Sequence, residues 1–526
     1  MLSLVTGSEG EPAIEKGDAL IPMRVRVWRG SITDIKADAI IVNLFEGIRR
    51  PGGATGAVDQ ALGGAITQLI EAGEITGKTK EAAVIYTLGR LPASKVIVAG
   101  LGPSKDFDFE GVRAAAGWAM RAAGRGRPRT VATIVHGAGI AGLEPGAAAT
   151  ATVEGSLLAA YSYEELKTVE GDGGVEELII VERDESKFPI IETGVRRGEV
   201  LAKATALARD LVNRPANLVT PTALAEVAAD IARRGGLTLQ VLERADFERL
   251  GMGAFIAVAK GSDEPAKLIV LRYQPREEEG GRNRPIAFVG KGLTFDSGGL
   301  SLKASEGMEG MKSDMAGGAA VLGAMEAIAT LKPAVEVIGI IGATENMPSG
   351  HASRPGDVVR AMNGRSIEVI STDAEGRMVL ADAVAYAKNL GAARVVDLAT
   401  LTGACVVALG GIRAGLFSND DELAGIVERA AARAGEKVWR MPTDPEYREL
   451  LKSDVADIKN SGGRAGGAVT GALFIREFVG NVPWVHLDIA GMAMNQRELP
   501  YVPKGATGFG VRTLVHLAEL LAQRLD

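Results

Sequence analysis

The glycine-rich segment Val289–Gly299 carries two charged side chains that could perform chemistry, Lys291 and Asp296. It directly follows the apolar, strand-like run Pro285–Val289. Open α/β sheets bind ligands at loops that follow the carboxyl ends of parallel strands, and the glycines allow backbone to approach a ligand closely. The sequence therefore predicts that Lys291 and Asp296 project from a ligand-binding loop. A phosphate-binding loop or a plain turn is the alternative.

A second charged segment, Ser371–Arg377, follows the apolar alternation Ile367–Ile370. If this segment is extended, residues two apart point the same way, and Asp373, Glu375 and Arg377 share one face. Two carboxylates beside a guanidinium, just before an apolar helix, are costly to bury without a bound cation. The segment therefore indicates a cation site, with a surface ion-pair cluster as the alternative.

Lys303 and Asp314 lie between these two segments. Asp314 immediately precedes the helix-like run Met315–Thr330, where its carboxylate could instead cap the helix. Taken together, four carboxylates on loops at sheet edges form a set that suits a pair of hard or borderline divalent cations. They are Asp296, Asp314, Asp373 and Glu375.

Several other catalytic chemistries are excluded by the residues that the sequence lacks. It has 4 histidines, no two of them spaced for a zinc-binding helix face, and 1 cysteine, Cys405. Cysteine–zinc sites and intrachain disulfides are therefore excluded. The sequence also contains no nucleophile-elbow motif and no P-loop motif. Any bound metal must be held mostly by oxygen ligands.

Composition and charge are those of an ordinary globular protein that is well suited to water. The net charge of −7 over 526 residues is mild acidity, which argues weakly against nucleic acid as the main partner. We interpret the basic tract Arg121–Arg129 as a solvated helix end and loop, with a nucleic-acid site as the alternative. Segment Met1–Leu20 lacks the apolar run of a secretory signal, and no apolar stretch is long enough to predict a membrane span. We therefore expect a cytoplasmic protein with no membrane partner.

Alternating strand-like and helix-like runs predict an α/β protein of two domains, since one core rarely serves 526 residues. The first series includes strand-like Ala37–Val42 and helix-like Ala57–Ala72. A charged stretch and a helix over Glu199–Val212 separate it from a second series. We predict an N-terminal α/β domain over 1–190. Residues 191–526 are predicted to form a linker helix and a catalytic α/β domain with a mostly parallel central sheet flanked by helices.

At the two charged segments described above, the sequence resembles the cytosolic leucyl aminopeptidases. The resemblance is carried by Val289–Gly299 and Thr372–Arg377, and it extends from about Leu211 to the C-terminus. Ser371 departs from the family, which usually has Asn there. The N-terminal part resembles a macro-type fold, which that family also carries. Further matching segments are Glu345–Gly350, Arg354–Asp357, Asp397–Gly403, Asp457–Asn460 and His486–Gly491.

The resemblance implies a catalytic centre with two divalent metal ions per subunit, Mn²⁺ or Zn²⁺. It implies that Asp296 and Glu375 bridge the metals, that Asp373 completes one, and that Lys291 and Asp314 complete the other. Lysine must be neutral to act as a ligand, and nearby dications lower its pKa.

The implied reaction releases N-terminal, leucine-like residues from peptides that have a free N-terminus, by attack of a metal-bridged water. Lys303 would stabilise the oxyanion, and Arg377 would hold a bicarbonate ion that accepts the water's proton. The resemblance also implies a homohexamer. Residues implied to line the substrate site are Met311, Ser371, Thr400, Leu401, Gly403 and Ala490, with Ala493 as a further neighbour.

Three alternative functions remain at this point. The first is a nucleotide or ADP-ribose binding module that uses the glycine-rich N-terminal segment Pro51–Gly64. The second is an accessory role in DNA binding, which the charge of −7 disfavours. The third is a catalytically inactive scaffold, although every position that carries the implied chemistry is filled.

Overall fold

The structure is a computed structural model that describes residues 23–139, 141–168, 174–275 and 285–523. The expectation about Met1–Leu20 therefore concerns residues outside the described part. The described residues form two large sheets with helices packed on their faces, and two small sheets of three and two strands. The predicted fold class is confirmed.

The N-terminal sheet has six strands in the spatial order β1-β6-β5-β2-β4-β3, and all neighbours are parallel except β3 and β4. Its strands are β1 Arg24–Arg29, β2 Ala39–Phe45, β3 Ala82–Tyr86, β4 Lys95–Gly102, β5 Thr130–Ile134 and β6 Glu177–Glu182. The helices of this part are α1 Gly53–Ala61, α2 Ala65–Glu71, α3 Phe109–Gly124 and α4 Pro145–Ala160.

The single helix predicted over Ala57–Ala72 is wrong, because the structure divides this segment into α1 and α2. The break lies at Gly63 and Gly64, which adopt φ angles of +71° and +83°. Such left-handed backbone suits glycine and ends a helix.

Helix α5, Phe188–Asn213, begins eleven residues before the start predicted from the sequence at Glu199 and takes in much of the charged stretch. Its buried residues include Val195 and Leu211. It packs against α4 of the first sheet and against α9, Ala316–Leu331, of the second. The helix therefore connects the two sheets as a packed element rather than an extended linker.

The second sheet has eight strands in the order β15-β14-β17-β13-β9-β10-β8-β7, and its central strands β17, β13, β9 and β10 are parallel. The eight strands are β7 Thr238–Leu242, β8 Lys267–Tyr273, β9 Ile286–Asp296, β10 Val337–Asn346, β13 Arg394–Ala399, β14 Ala414–Ser418, β15 Val438–Arg440 and β17 Trp484–Asp488. Shorter strands are β11 Val358–Arg360, β12 Ser366–Glu368, β16 Ile458–Lys459, β18 Met494–Asn495 and β19 Gly505–Ala506.

Helices cover both faces of this sheet over two apolar cores. Besides α9 they are α6 Pro221–Gly235, α7 Arg244–Leu250, α8 Gly253–Ala259, α10 Glu375–Asn389, α11 Gly403–Leu409, α12 Asp421–Ala434, α13 Gly467–Val479 and α14 Val511–Ala522. The helical stretch Met308–Leu331 is apolar and long enough to cross a membrane, but 83% of its most apolar window is buried inside the protein. This burial is typical of a core helix.

Candidate metal centre

Strand β9 carries both Lys291 and Asp296, so the prediction that they project from a loop is wrong. The strand continues past Val289 because its glycines allow helix α9 to pack directly on the backbone. A Cβ atom at Gly290 would lie only 2.6 Å from the carbonyl oxygen of Gly317 in α9. The strand therefore fixes Lys291 rigidly beneath that helix and places Asp296 at its carboxyl end.

The ammonium of Lys291 is buried among oxygen atoms from three chain segments. Its Nζ lies 2.8 Å from a carboxylate oxygen of Asp314 and 2.8 Å from Oε1 of Glu375. It also donates a 3.0 Å hydrogen bond to the carbonyl of Thr400. Burial alone would lower the pKa of Lys291, but the neighbouring carboxylates outweigh burial and raise it. A cation at this point is thus strongly stabilised.

Asp296 is held in place by neutral donors as well as by charge. Its Oδ1 accepts hydrogen bonds of 2.8 Å from Nδ2 of Asn346 and 2.9 Å from the backbone N–H of Gly298. Its Oδ2 lies 2.5 Å from Nζ of Lys303. Lys303 also forms an ion pair with Asp373. Lys303 therefore connects the carboxylates of two distant segments.

The predicted extended arrangement of Asp373, Glu375 and Arg377 is wrong, because α10 begins at Glu375. The helix places Glu375 and Arg377 on different sides, and only Asp373 stays on the loop before it. Gly376 follows Glu375 in this helix, and a Cβ atom there would lie 2.5 Å from Cε of Lys291. The start of α10 thus presses directly against the lysine, which brings Glu375 within hydrogen-bonding distance of it.

Asp314 does not cap the helix that follows it, which decides against the alternative left open above. Helix α9 has no side-chain cap. Asp314 accepts a 2.7 Å hydrogen bond from the hydroxyl of Thr400 and pairs with Lys291. Burial is the largest cause that raises the pKa of Asp314 and of Glu375. Asp373, on the rim, has its pKa raised chiefly by partial burial.

Three buried carboxylates, those of Asp296, Asp314 and Glu375, have oxygen atoms that all lie within 4.8 Å of one another. Within the described residues, Oε2 of Glu375 is buried without a hydrogen-bond partner. Like charges so close together in a buried site repel strongly unless cations or protons compensate them. The donor set therefore fits hard or borderline divalent cations.

Arg377 is buried beside this cluster and anchors a neighbouring loop. Its Nη1 donates a 2.8 Å hydrogen bond to the carbonyl of Asn460, while its Nε lacks a partner among the described residues. Burial lowers the pKa of the guanidinium. The side chain of Asn460 in turn accepts a 3.2 Å hydrogen bond from the N–H of Ser371 and donates a 2.7 Å bond to its carbonyl.

A cleft of about 870 Å³ opens beside the cluster, and Ser371, Asp373, Arg377, Leu401 and Gly403 contribute to its lining. This volume lies within the range of ligand pockets, ~300–1,000 Å³. Of the other residues implied to line a substrate site, Thr400 contacts Lys291 and Asp314 directly. Met311 lies in the 3₁₀ turn before Asp314, and Ala490 donates to Asp488. The structure does not place Met311 or Ala490 in the lining of this cleft.

Three buried polar residues that support the site received no role from the sequence. Asn346 braces Asp296 and the carbonyl of Thr372, and Asn460 brackets Ser371. Asp488 accepts hydrogen bonds from the N–H of Leu401 and the hydroxyl of Thr402. Each lies within or directly beside a segment that matches the resembled family, and that position was the available signal.

The sequence matches the two family models of the cytosol aminopeptidases. The profile described as "Cytosol aminopeptidase family, catalytic domain" matches residues 206–515. The profile described as "Cytosol aminopeptidase family, N-terminal domain" matches residues 41–170. Together the two profiles span most of both sheets.

Individual relatives and solved structures show the same similarity over nearly the whole chain. A probable cytosol aminopeptidase of Alkaliphilus oremlandii (strain OhILAs) is 47% identical and is matched over 94% of this chain and 99% of its own length. A probable cytosol aminopeptidase of Geobacter sulfurreducens is 43% identical and is matched over 94% of this chain and 98% of its own length. The bottromycin maturation enzyme BotP in complex with Mn has a TM-score of 0.81 at 37% identity, covering 92% of this chain and 100% of its own. A mutant of tomato leucine aminopeptidase has a TM-score of 0.84 at 35% identity, covering 95% and 96%.

Proposed function

This chain belongs to the cytosol aminopeptidase family, a family of metal-dependent hydrolases, and on that premise we propose that it is a leucyl-type aminopeptidase with two divalent cations in its active site. The observation that carries the proposal is the convergence of three buried carboxylates within 4.8 Å, drawn from β9, the turn before α9 and the start of α10.

We assign the cation ligands to five side chains that meet at this point. Asp296, Glu375 and Asp373 would hold the cations together with Lys291 and Asp314. The contacts of Lys291 support the assignment of these ligands. Its positively charged Nζ lies between carboxylate oxygens of Asp314 and Glu375, where positive charge is stabilised. To act as a ligand, Lys291 must give up a proton, so cation uptake is expected to release protons.

The bound cations, Mn²⁺ or Zn²⁺, would supply an activated water and polarise the scissile carbonyl. Lys303, an ammonium at the edge of the cluster, stabilises the negative charge that develops on the carbonyl oxygen. Arg377, with the backbone of Leu401, would hold a bicarbonate ion, which would supply a proton acceptor for the attacking water. The unpartnered Nε of Arg377 supports an anion at this point.

The substrates are peptides with a free N-terminus, and the first side chain is leucine-like. We assign its surroundings to four residues at the cluster or the cleft beside it, Ser371, Thr400, Leu401 and Gly403. Met311 and Ala490 are added on the family resemblance alone. Ser371 stands where the family usually has Asn, so this position tunes the substrate preference within the same chemistry.

The proposal also covers the cellular location, the oligomeric state, the domain limits and the classes of partner. The relatives are named cytosol aminopeptidases, which supports a cytoplasmic location. We propose a homohexamer, and domain limits at 1–190 and 191–526. Neither a membrane nor nucleic acid is proposed as a partner.

The test combines elemental analysis with kinetics on leucine p-nitroanilide and on a matched pair of free and N-acetylated leucyl peptides. We expect about two Mn²⁺ or Zn²⁺ per chain, hydrolysis that chelation abolishes and either metal restores, and no cleavage of the acetylated peptide. Asp296→Ala should lose bound metal and activity together.

Asp454→Ala is the matched control, since Asp454 is an exposed carboxylate away from the cluster. It should keep both metal and rate. Wild-type activity that survives exhaustive removal of metal, or an unaltered rate in Asp296→Ala, would contradict the assignment of the site.

A further inference from the structure

The cleft beside the metal centre extends well beyond the carboxylate cluster. Its lining includes Asp373 and Arg377 beside the cluster, and also the glycine-rich loop 461–467 and the start of α13. Small and apolar side chains, including Leu401, Val407 and Met441, line the same cleft. A peptide whose first residue lies at the cluster therefore has room in this cleft for its following residues.

The loop carries one charged side chain, Arg464, which lines the cleft and is exposed. Among the described residues its guanidinium forms no ion pair or hydrogen bond, although its backbone carbonyl accepts from the N–H of Gly467. The charged residues that line the cleft are Asp373, Arg377 and Arg464. Arg377 is buried, donates to Asn460 and is assigned above to an anion beside the metal centre, so Arg464 is the exposed cation of this lining that remains available to a substrate carboxylate.

The position of the loop is fixed relative to the cluster at both of its ends. It follows Asn460, which is fully buried, pairs with the backbone of Ser371 and accepts from Arg377. At its other end it leads into α13, where a Cβ atom at Gly467 would lie 3.1 Å from Cβ of Ala404. Arg464 therefore lies on a short loop whose anchors belong to the active site itself.

We propose that Arg464 binds the α-carboxylate of short peptides, so that this enzyme prefers substrates of two or three residues with a free C-terminus. The cleft then combines the cation site, which receives the amino terminus, with a guanidinium that receives the carboxyl terminus. A guanidinium pairs with a carboxylate through two parallel hydrogen bonds. Di- and tripeptides span about 7–11 Å when extended, a scale suited to a cleft of 870 Å³.

This inference rests on the proposed aminopeptidase activity, and the test uses the metal-loaded full-length enzyme on two substrates that differ in one group. They are leucyl-leucine, with a free carboxylate, and leucyl-leucinamide, without one. We expect the wild type to have a kcat/KM at least about tenfold higher for the free acid. Arg464→Ala should remove most of that preference through a higher KM for the acid, and Arg464→Lys should restore part of it.

Arg476→Ala is the matched control, because Arg476 is an exposed arginine at the far end of α13. It removes the same charge and should leave the preference intact. Equal kcat/KM values for acid and amide in the wild type would overturn the inference. So would an Arg464→Ala variant that loses both substrates in proportion, which would indicate a role in folding or assembly. Failure of the wild type to cleave either substrate would overturn the proposed function as well.

Discussion

At the scale of single residues, the two lysines of the centre have different surroundings. Lys291 is almost fully buried between two carboxylates, whereas the side chain of Lys303 retains 21% of its exposure and faces Asp296 and Asp373 at the edge of the cluster. Burial would lower the pKa of Lys303, but Asp296 and Glu375 outweigh it and the pKa is raised. These carboxylates favour the ammonium form of Lys303, which is the form that can stabilise an oxyanion.

Replacing Lys303 by Ala is expected to leave the metal content unchanged and to lower kcat. The expected decrease corresponds to a loss of roughly 2–4 kcal/mol of transition-state stabilisation. The rate falls because the charge that develops on the carbonyl oxygen loses its nearest cation outside the metal site. Steady-state kinetics on leucine p-nitroanilide together with elemental analysis measures both quantities. Lys504→Ala, which removes an exposed lysine, should change neither. Loss of metal in Lys303→Ala would show instead that this lysine supports the ligands.

At the scale of elements, the centre depends on the close approach of two helices to one strand. Gly290 allows α9 to lie on β9, and Gly376 allows the first turn of α10 to reach the side chain of Lys291. Neither contact leaves room for a methyl group. The separation of helix and strand is thus set by glycine, and it decides how near Glu375 and Asp314 come to Lys291.

Gly376→Ala tests this packing. Alanine favours a helix interior over glycine by about 1 kcal/mol, so α10 itself should not unfold. The added methyl group would nevertheless lie 2.5–2.8 Å from Lys291 side-chain atoms and displace them. Because a misplacement of about 1 Å can cost about 10²-fold in rate, we expect a large loss of kcat/KM on leucine p-nitroanilide with little change in melting temperature.

Gly350→Ala provides the comparison, because a Cβ atom there meets nothing within 4 Å. It should retain the wild-type rate. Full activity in Gly376→Ala would mean that Lys291 can move without consequence, contrary to the proposed ligand role.

At the scale of the whole molecule, α5 and α14 are joined by a charged contact. Nη2 of Arg197 lies 2.7 Å from Oε2 of Glu519, and Nδ1 of His516 lies 3.4 Å from the same oxygen. Burial alone would raise the pKa of Glu519, but hydrogen bonds from His516 and Arg197 lower it to about 2. The contact thus fastens the C-terminal helix to the helix that links the two sheets.

Glu519→Gln should therefore destabilise the protein in a pH-dependent way. The folded pKa lies below the unfolded value of about 4.3, so the carboxylate stabilises the fold at neutral pH and this contribution fades as pH falls through the range from 4.3 toward 2. We expect a loss of about 1–3 kcal/mol at pH 7 that shrinks below pH ~4.5, measured by urea unfolding. Glu446→Gln, at an exposed glutamate, should show no such pattern. A loss for Glu519→Gln that stays constant from pH 7 down to pH ~2.5 would contradict the ion-pair interpretation.

The amino-acid pattern alone predicted the class of fold and the segments that carry the acidic cluster. Apolar runs that predict a central strand and a buried helix lie next to Lys291, Asp296 and Glu375 in the sequence. Because parallel strands bring their carboxyl ends to one edge of a sheet, these residues are expected to lie close together. The family resemblance added the roles proposed for these side chains. Periodicity also predicted two α/β domains, because alternation of strand and helix is a local property of the chain.

Only the tertiary structure decided how these residues are held. The sequence suggested a loop around Lys291 and an extended segment through Glu375, but a buried strand and a helix start stand there. Local pattern is ambiguous at such boundaries, since the packing of α9 on Gly290 and of Gly376 in α10 on Lys291 overrides it. The roles of Asn346, Asn460 and Asp488 were equally out of reach. A neutral or isolated polar residue reveals its partner only when distant segments are brought together in space.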